Sequence, residues 1–166
     1  RELLALAHEL RRMTRGYGAC LVINDRLDIA LEVEADGVHL PAAGMETATV
    51  RRLVGDRVLI GRSVHSLEET EALVHDEADY VHFGPIYATD SKRTFGRPQG
   101  LHRLTEAVTG AGTLPVVAVG GIDADKVPEI VRTGAWGVAV IGAVNAALDP
   151  EAETARLLSA LAARPA

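Results

Sequence analysis

Two stretches near the carboxyl end carry the clearest hydrophobic pattern. Pro115-Val116-Val117-Ala118-Val119-Gly120-Gly121 is apolar at successive positions, without alternation, and stops in paired glycines. A strand apolar on both sides is buried on both faces, which predicts a parallel sheet covered by helices. Gly137-Val138-Ala139-Val140-Ile141-Gly142-Ala143 repeats the design: an apolar strand, a glycine, then a small residue. Between the two, Ile122-Asp123-Ala124-Asp125-Lys126 predicts a helix start, whose first N–H groups favour an anion.

The same alternation runs through the rest of the chain. Ala19–Ile23, Gly37–Leu40 (stopped by Pro41), Val58–Ser63 and Asp79–Pro85 predict four earlier strands. Leu3, Leu4, Leu6, Ala7 and Leu10 recur at helical spacing until Gly16 and Gly18 end the segment. Further helices are predicted through Leu27, Ile29, Ala30 and Val33, over Thr47–Val54, from Leu101 to Val108 and from Pro150 to Ala163. Ser66-Leu67-Glu68-Glu69 is a capping box, and its helix is predicted to run to His75. Ile86 to Gly100 is a long polar loop, a length that suits a lid or binding loop. Trp136, before the last strand, is expected to pack, and His82, inside a strand, to be structural.

Repeated strand–helix units joined by right-handed crossovers give an α/β domain with a parallel sheet, either open and doubly wound or a barrel. Evenly spaced short strands with polar or glycine residues at their carboxyl ends favour the (β/α)8 TIM barrel. About six such units do not close a barrel, and no capping residue precedes Arg1. The expectation is therefore a single domain, residues 1–166, truncated at its N-terminus with the first strands missing.

Composition narrows the function. The 166 residues are 48% hydrophobic but only 4% aromatic, which suits small apolar side chains between helices and sheet. A net charge of −6 gives no basic surface for nucleic acid or an anionic membrane. Arg11, Arg12 and Arg15 read as a solvated helix end. The lone Cys20 cannot form an internal disulfide, in keeping with a reducing cytoplasm. No apolar run is long enough to span a bilayer. The oligomeric state is open, and a homo-oligomer is compatible with the sequence.

At the predicted carboxyl ends of the strands stand Asn24 and Asp25, His39, Ser63 and His65, then Thr89, Ser91 and Lys92 in the long loop, then Gly120, Gly121 and Gly142. A carboxylate, an amide, hydroxyls, a lysine and two successive glycine cradles point to a doubly phosphorylated or pyrophosphate substrate. Mg²⁺ would be held by Asp25 together with the phosphates. Plainer roles stand beside these. Asn24 or Asp25 would cap the next helix, His39 and His65 would be hydrogen-bonded wall residues, and Lys92 would be solvated loop charge.

At these residues the chain resembles the thiamine phosphate synthase and thiazole tautomerase family. The matching stretches are Ile23-Asn24-Asp25-Arg26, Ala35–Leu40, Ile60–Glu69, Ala78–Tyr87, Pro115–Ile122 and Gly137–Ala143. The resemblance implies a transferase of thiamine biosynthesis that joins hydroxymethylpyrimidine pyrophosphate to thiazole phosphate and releases pyrophosphate. It places Asn24 on pyrophosphate, Asp25 on Mg²⁺, Ser63 near the pyrimidine or pyrophosphate and Lys92 on pyrophosphate. Gly120, Gly121 and the Ile141-Gly142 backbone would hold the thiazole phosphate.

The chain departs from the synthase pattern after His39-Leu40. Pro41-Ala42-Ala43-Gly44 omits the family's second metal-binding aspartate, for which Glu46 is an offset substitute, and Gly142 stands where serine is usual. Pro41 and Gly61-Arg62-Ser63 look more like the tautomerase branch, yet Pro85 occupies the position of that branch's acid–base histidine. The runner-up readings are thus a thiazole tautomerase, with His39 or His65 as base, and a non-catalytic thiazole-phosphate-binding relative. These 166 residues alone are expected to be inactive and to leave an edge open on the first strand.

Overall fold

A computed structural model describes residues 1–89 and 97–163. Strands and helices alternate through an α/β fold, and the strand order in its six-stranded sheet follows chain order from β1 to β6. A doubly wound sheet reverses its order at a switch point; this one does not. The chain divides into two compact units, Arg1–Ser63 with His75–Asp79, and Val64–Val74 with Tyr80–Ala166.

In the first unit, α1 (Glu2–Tyr17), α2 (Leu27–Glu32) and α3 (Thr47–Val54) accompany β1 (Val22–Asn24), β2 (Gly37–Leu40) and β3 (Leu59–Val64). β1 and β2 pair in parallel with Ile23 opposite Val38, and β2 and β3 with Val38 opposite Ile60. Val38, Leu40, Val50 and Ile60 are wholly buried in the core of this unit. Every residue of β2 is buried, as an apolar strand covered on both faces should be. The α1 helix turns Leu4, Ala7 and Arg11 toward that core, so Leu3, Leu6 and Leu10 remain exposed despite their helical spacing.

Arg11 is not solvated as the sequence suggested. Its guanidinium grips both oxygens of Asp36, at 2.6 and 3.1 Å, while the same carboxylate accepts from the Leu21 N–H at 2.7 Å. Arg15 of the cluster forms an exposed pair with Glu34. The device recurs at Asp79, which accepts from Arg51 and from the Ile60 N–H, both at 2.7 Å. The Arg11 hydrogen bond, followed by that of Leu21, holds the Asp36 carboxyl below its ordinary pKa. A depressed folded pKa contributes stability that is present above the ordinary carboxylate range, near 4, and is lost as pH falls through the folded value. Asp36→Asn is therefore expected to destabilise the protein by about 1–2 kcal/mol at neutral pH, allowing for partial exposure of the pair. It should also flatten the acid limb of a melting-temperature profile. Superimposable profiles for the two proteins would contradict this.

The second unit holds α4 (Leu67–Ala72), β4 (Tyr80–Phe83), α5 (Gly100–Ala111), β5 (Val116–Val119), α6 (Val127–Arg132), β6 (Gly137–Ala139), α7 (Gly142–Asn145) and α8 (Pro150–Ala162). β5 pairs in parallel with β4 on one side and β6 on the other. Phe83, Val81, Leu104, Ala118, Val127 and Ile130 form its dry centre. α4 stops at Ala72, short of the predicted His75. In its capping box, Ser66 Oγ accepts from the Glu69 N–H, but the Glu69 carboxylate reaches the N–H of His65 rather than that of Ser66. Trp136 departs from expectation. It is 64% exposed and stands, just before β6, where Asp36 and Asp79 stand before β2 and β4.

Candidate active site

The ends of β5 and β6 open on one cavity of about 240 Å³, lined by Thr89, Val119 to Asp123 and Ala139 to Ala143. Both glycine cradles predicted from sequence therefore face a common space. Gly120 (φ 103°) and Gly121 (φ 67°) take backbone conformations that side chains disfavour. They are also packed against the chain that follows β4. A Cβ on Gly120 would come within 2.7 Å of Pro85, and one on Gly121 within 2.7 Å of the Ala88 carbonyl. Hydrogen bonds from Ile86 N–H to Val119 O (2.9 Å) and from Tyr87 N–H to Gly120 O (3.0 Å) seal that contact. The cradle is thus a two-stranded backbone structure, with the Gly84-Pro85 peptide bond in cis beside it. On the opposite side, Gly142 begins α7, and the first N–H groups of a helix have no partner within it.

The cavity has one charged lining residue among those described, and it is acidic: Asp123. Lys126 answers it. Its ammonium lies 2.6 Å from Asp123 Oδ2, donates to the Gly121 carbonyl at 2.8 Å, and sits 5.0 Å from the centre of the Tyr87 ring. The Lys126 hydrogen bond is the main reason the Asp123 carboxyl titrates below its ordinary range. Tyr87 in turn donates its hydroxyl to Glu129, and burial, then that carboxylate, raises the hydroxyl's pKa. Asp123 also caps the following turn, accepting from the Lys126 N–H. The sequence marked Asp123 to Lys126 as a helix start but gave Lys126 no role; the three-residue spacing of opposite charges was the available signal.

His65 is anchored close by. Its Nδ1–H donates to the Gly84 carbonyl at 2.7 Å, and the Gln99 amide donates to the His65 carbonyl at 2.8 Å. That is the wall role considered for it.

In the first unit, Asn24 ends β1 and is exposed. Asp25 follows with φ 63°, its N–H bonded to the His39 carbonyl at 2.8 Å. Neither residue caps α2: the cap position is Arg26, without a side-chain hydrogen bond. Arg26 instead pairs with Asp28 through two guanidinium nitrogens, at 2.8 and 2.5 Å, which draws the Asp28 carboxyl down to about 2. His39 is buried, and its Nε2 is in hydrogen-bond contact with Ser63 Oγ at 2.9 Å. Arg62 donates to the carbonyls of Ala42 and Met45, in the loop that lacks the second carboxylate. Glu46, the offset substitute, is exposed at the start of α3. Ser91 and Lys92 lie outside the described residues. Among the described residues, no group of three or more His, Cys, Asp or Glu side chains forms a metal cage. No described helix is long and apolar enough to cross a membrane.

Comparison with known proteins places this geometry. The chain is 45% identical over 161 residues to a thiamine-phosphate synthase of Chloroflexus aurantiacus, covering 97% of this chain and 73% of that one. It is 42% identical over 164 residues to the thiamine-phosphate synthase of Roseiflexus castenholzii, covering 99% and 72%. Among solved structures, thiamine phosphate pyrophosphorylase from Pyrococcus furiosus superimposes with a TM-score of 0.88 at 37% identity, over 98% of this chain and 77% of that one. A 3-hexulose-6-phosphate synthase from Salmonella typhimurium shares the fold alone, at TM-score 0.75 and 14% identity. The family described as thiamine monophosphate synthase matches residues 1–144, and the chain belongs to it.

Proposed function

We propose that this protein is a thiamine-phosphate synthase, joining hydroxymethylpyrimidine pyrophosphate to thiazole phosphate with release of pyrophosphate. The observation that carries the reading is the single cavity framed by the Gly120-Gly121 and Ile141-Gly142 backbones. A phosphate monoester there would be held by main-chain N–H groups that need no reorganisation, and its ring nitrogen would be positioned as the nucleophile. The six strand–helix units are read as part of a (β/α)8 barrel, whose binding sites gather at the carboxyl ends of the strands.

Asn24, Asp25, Ser63 and Lys92 are assigned to the pyrophosphate substrate. Supporting this, Asp25 is held at a positive φ, a strain that persists where surrounding structure enforces it and that collects at working sites. Asp25 fits Mg²⁺ through one carboxylate, the ion taking its other ligands from water and substrate phosphates. When bound, Mg²⁺ would supply charge to the departing pyrophosphate. Asn24 would donate its amide to the same group, His39 would orient the Ser63 hydroxyl, and Lys92 would add a positive charge.

The full-length protein, given both substrates and Mg²⁺, should form thiamine phosphate and pyrophosphate in equal amounts. No turnover with excess Mg²⁺ would remove the assignment. The tautomerase reading rests on the loop that Arg62 clamps, where the second carboxylate is lost. Proton exchange in thiazole carboxylate phosphate, in the absence of any pyrophosphate release, would select it instead. A smaller effect is expected at Gly142, where a Cβ would meet nothing within 4 Å. Gly142→Ser should leave the melting temperature unchanged and tighten phosphate-monoester binding about two- to ten-fold by adding one hydroxyl donor. Weaker binding by calorimetry would show that the glycine is itself required.

A further inference from the structure

We infer that Lys126 is a positioning residue that makes the phosphate cavity tolerant of an anion by neutralising Asp123, acting from behind the cradle rather than on the ligand. The inference rests on the cavity at the ends of β5 and β6 being a phosphate site. An acidic side chain is an odd lining for such a cavity, and Asp123 is the one ionisable residue among the described lining. Its negative charge would oppose a phosphate dianion in the same cavity, although Asp123 is partly exposed and the repulsion partly screened. Lys126 is not among the lining residues, so its ammonium does not serve as a ligand to whatever fills the space.

The ammonium is committed elsewhere. Its partners are the Asp123 carboxylate at 2.6 Å, the Gly121 carbonyl at 2.8 Å and the face of Tyr87 at 5.0 Å. Two of these touch the cradle directly. The carboxylate contact cancels the cavity's only described charge. The carbonyl contact holds the Gly121 oxygen on the Lys126 side. Tyr87 is held by its own bond to Glu129, so the cation rests on a fixed ring. Lys126 is partly exposed and the pair is short, so the neutralisation comes from geometry and not from deep burial.

This arrangement separates charge compensation from direct binding, and a mutant cycle can read the difference. Lys126→Met keeps an unbranched apolar stem but leaves Asp123 as an uncompensated anion. Inorganic phosphate and thiazole phosphate should each then bind on the order of ten-fold more weakly, measured by calorimetry on the full-length protein. Asp123→Asn keeps a side-chain oxygen for the cap and should bind phosphate at least as well as the unaltered protein. The decisive variant is Lys126→Met combined with Asp123→Asn, which should recover most of the lost affinity. Recovery is a readout that a merely structural lysine would not produce. If the double variant binds as weakly as Lys126→Met, with both proteins folded by circular dichroism, the inference is overturned and Lys126 acts otherwise. If the unaltered protein binds neither phosphate, the phosphate-site reading itself fails, a separate outcome visible before any mutant is made.

Discussion

Gly121→Ala is expected to abolish measurable phosphate-monoester binding and to destabilise the protein by about 2–5 kcal/mol. Two terms add. A Cβ at the left-handed φ of 67° costs about 1–2 kcal/mol. The added atom would also sit 2.7 Å from the Ala88 carbonyl oxygen and 2.8 Å from Tyr87 Cβ, neither of them the far end of a flexible chain. Overpacking of that kind costs about 1–3 kcal/mol. Relief requires the 85–88 segment to part from β5, breaking the Val119 and Gly120 carbonyl contacts that set the cavity wall. The check is paired: thermal denaturation for the fold and phosphate titration for the site. Gly142→Ser serves as the control for the thermal measurement alone, since its added Cβ meets nothing within 4 Å. If Gly121→Ala kept both its melting temperature and its affinity, the close approach of these two backbones would not hold in solution.

What the sequence disclosed follows from where side chains decide structure. Unbroken apolar runs reported the buried strands, and β2 and α3 fall on the predicted residues because Pro41 and Gly55 punctuate them. The glycines that close β5 and β6 were legible as sharp turns for the same reason, since a glycine ending an apolar run lets the backbone turn tightly into the next helix. That they share a cavity follows from strand order placing β5 beside β6.

Partnership was less legible than position. Arg11 looked like surface charge because its partner, Asp36, is distant in sequence. The exposed Leu3, Leu6 and Leu10 show that helical spacing identifies an apolar stripe but not which neighbouring line of side chains meets the core. Trp136, expected to pack, is 64% exposed, and an aspartate holds the equivalent place before β2 and β4. The wall roles of His39 and His65 needed the bonds to Ser63 and Gly84 to be seen.

Asp25→Asn should lower turnover about 10²-fold or more while leaving the fold intact, the loss expected when one charge-stabilising group is removed. The choice of asparagine matters. Asp25 has φ 63°, and asparagine enters this region at least as readily as aspartate, whereas alanine would add about 1–2 kcal/mol of strain and confuse the result. The turn would survive the change, because its bonds are main-chain ones: Asp25 N–H to His39 O, Arg26 N–H to Asn24 O and Leu27 N–H to Asp25 O. What is lost is a negative charge on the face assigned to the pyrophosphate substrate. The loss should therefore fall on turnover and on the Mg²⁺ concentration needed for half-maximal rate, and not on binding of thiazole phosphate alone. Measured on the full-length protein, an unchanged Mg²⁺ requirement with unchanged turnover would take Asp25 out of the metal role. A parallel loss of thiazole-phosphate affinity would point to unfolding rather than chemistry, which an unchanged melting temperature excludes.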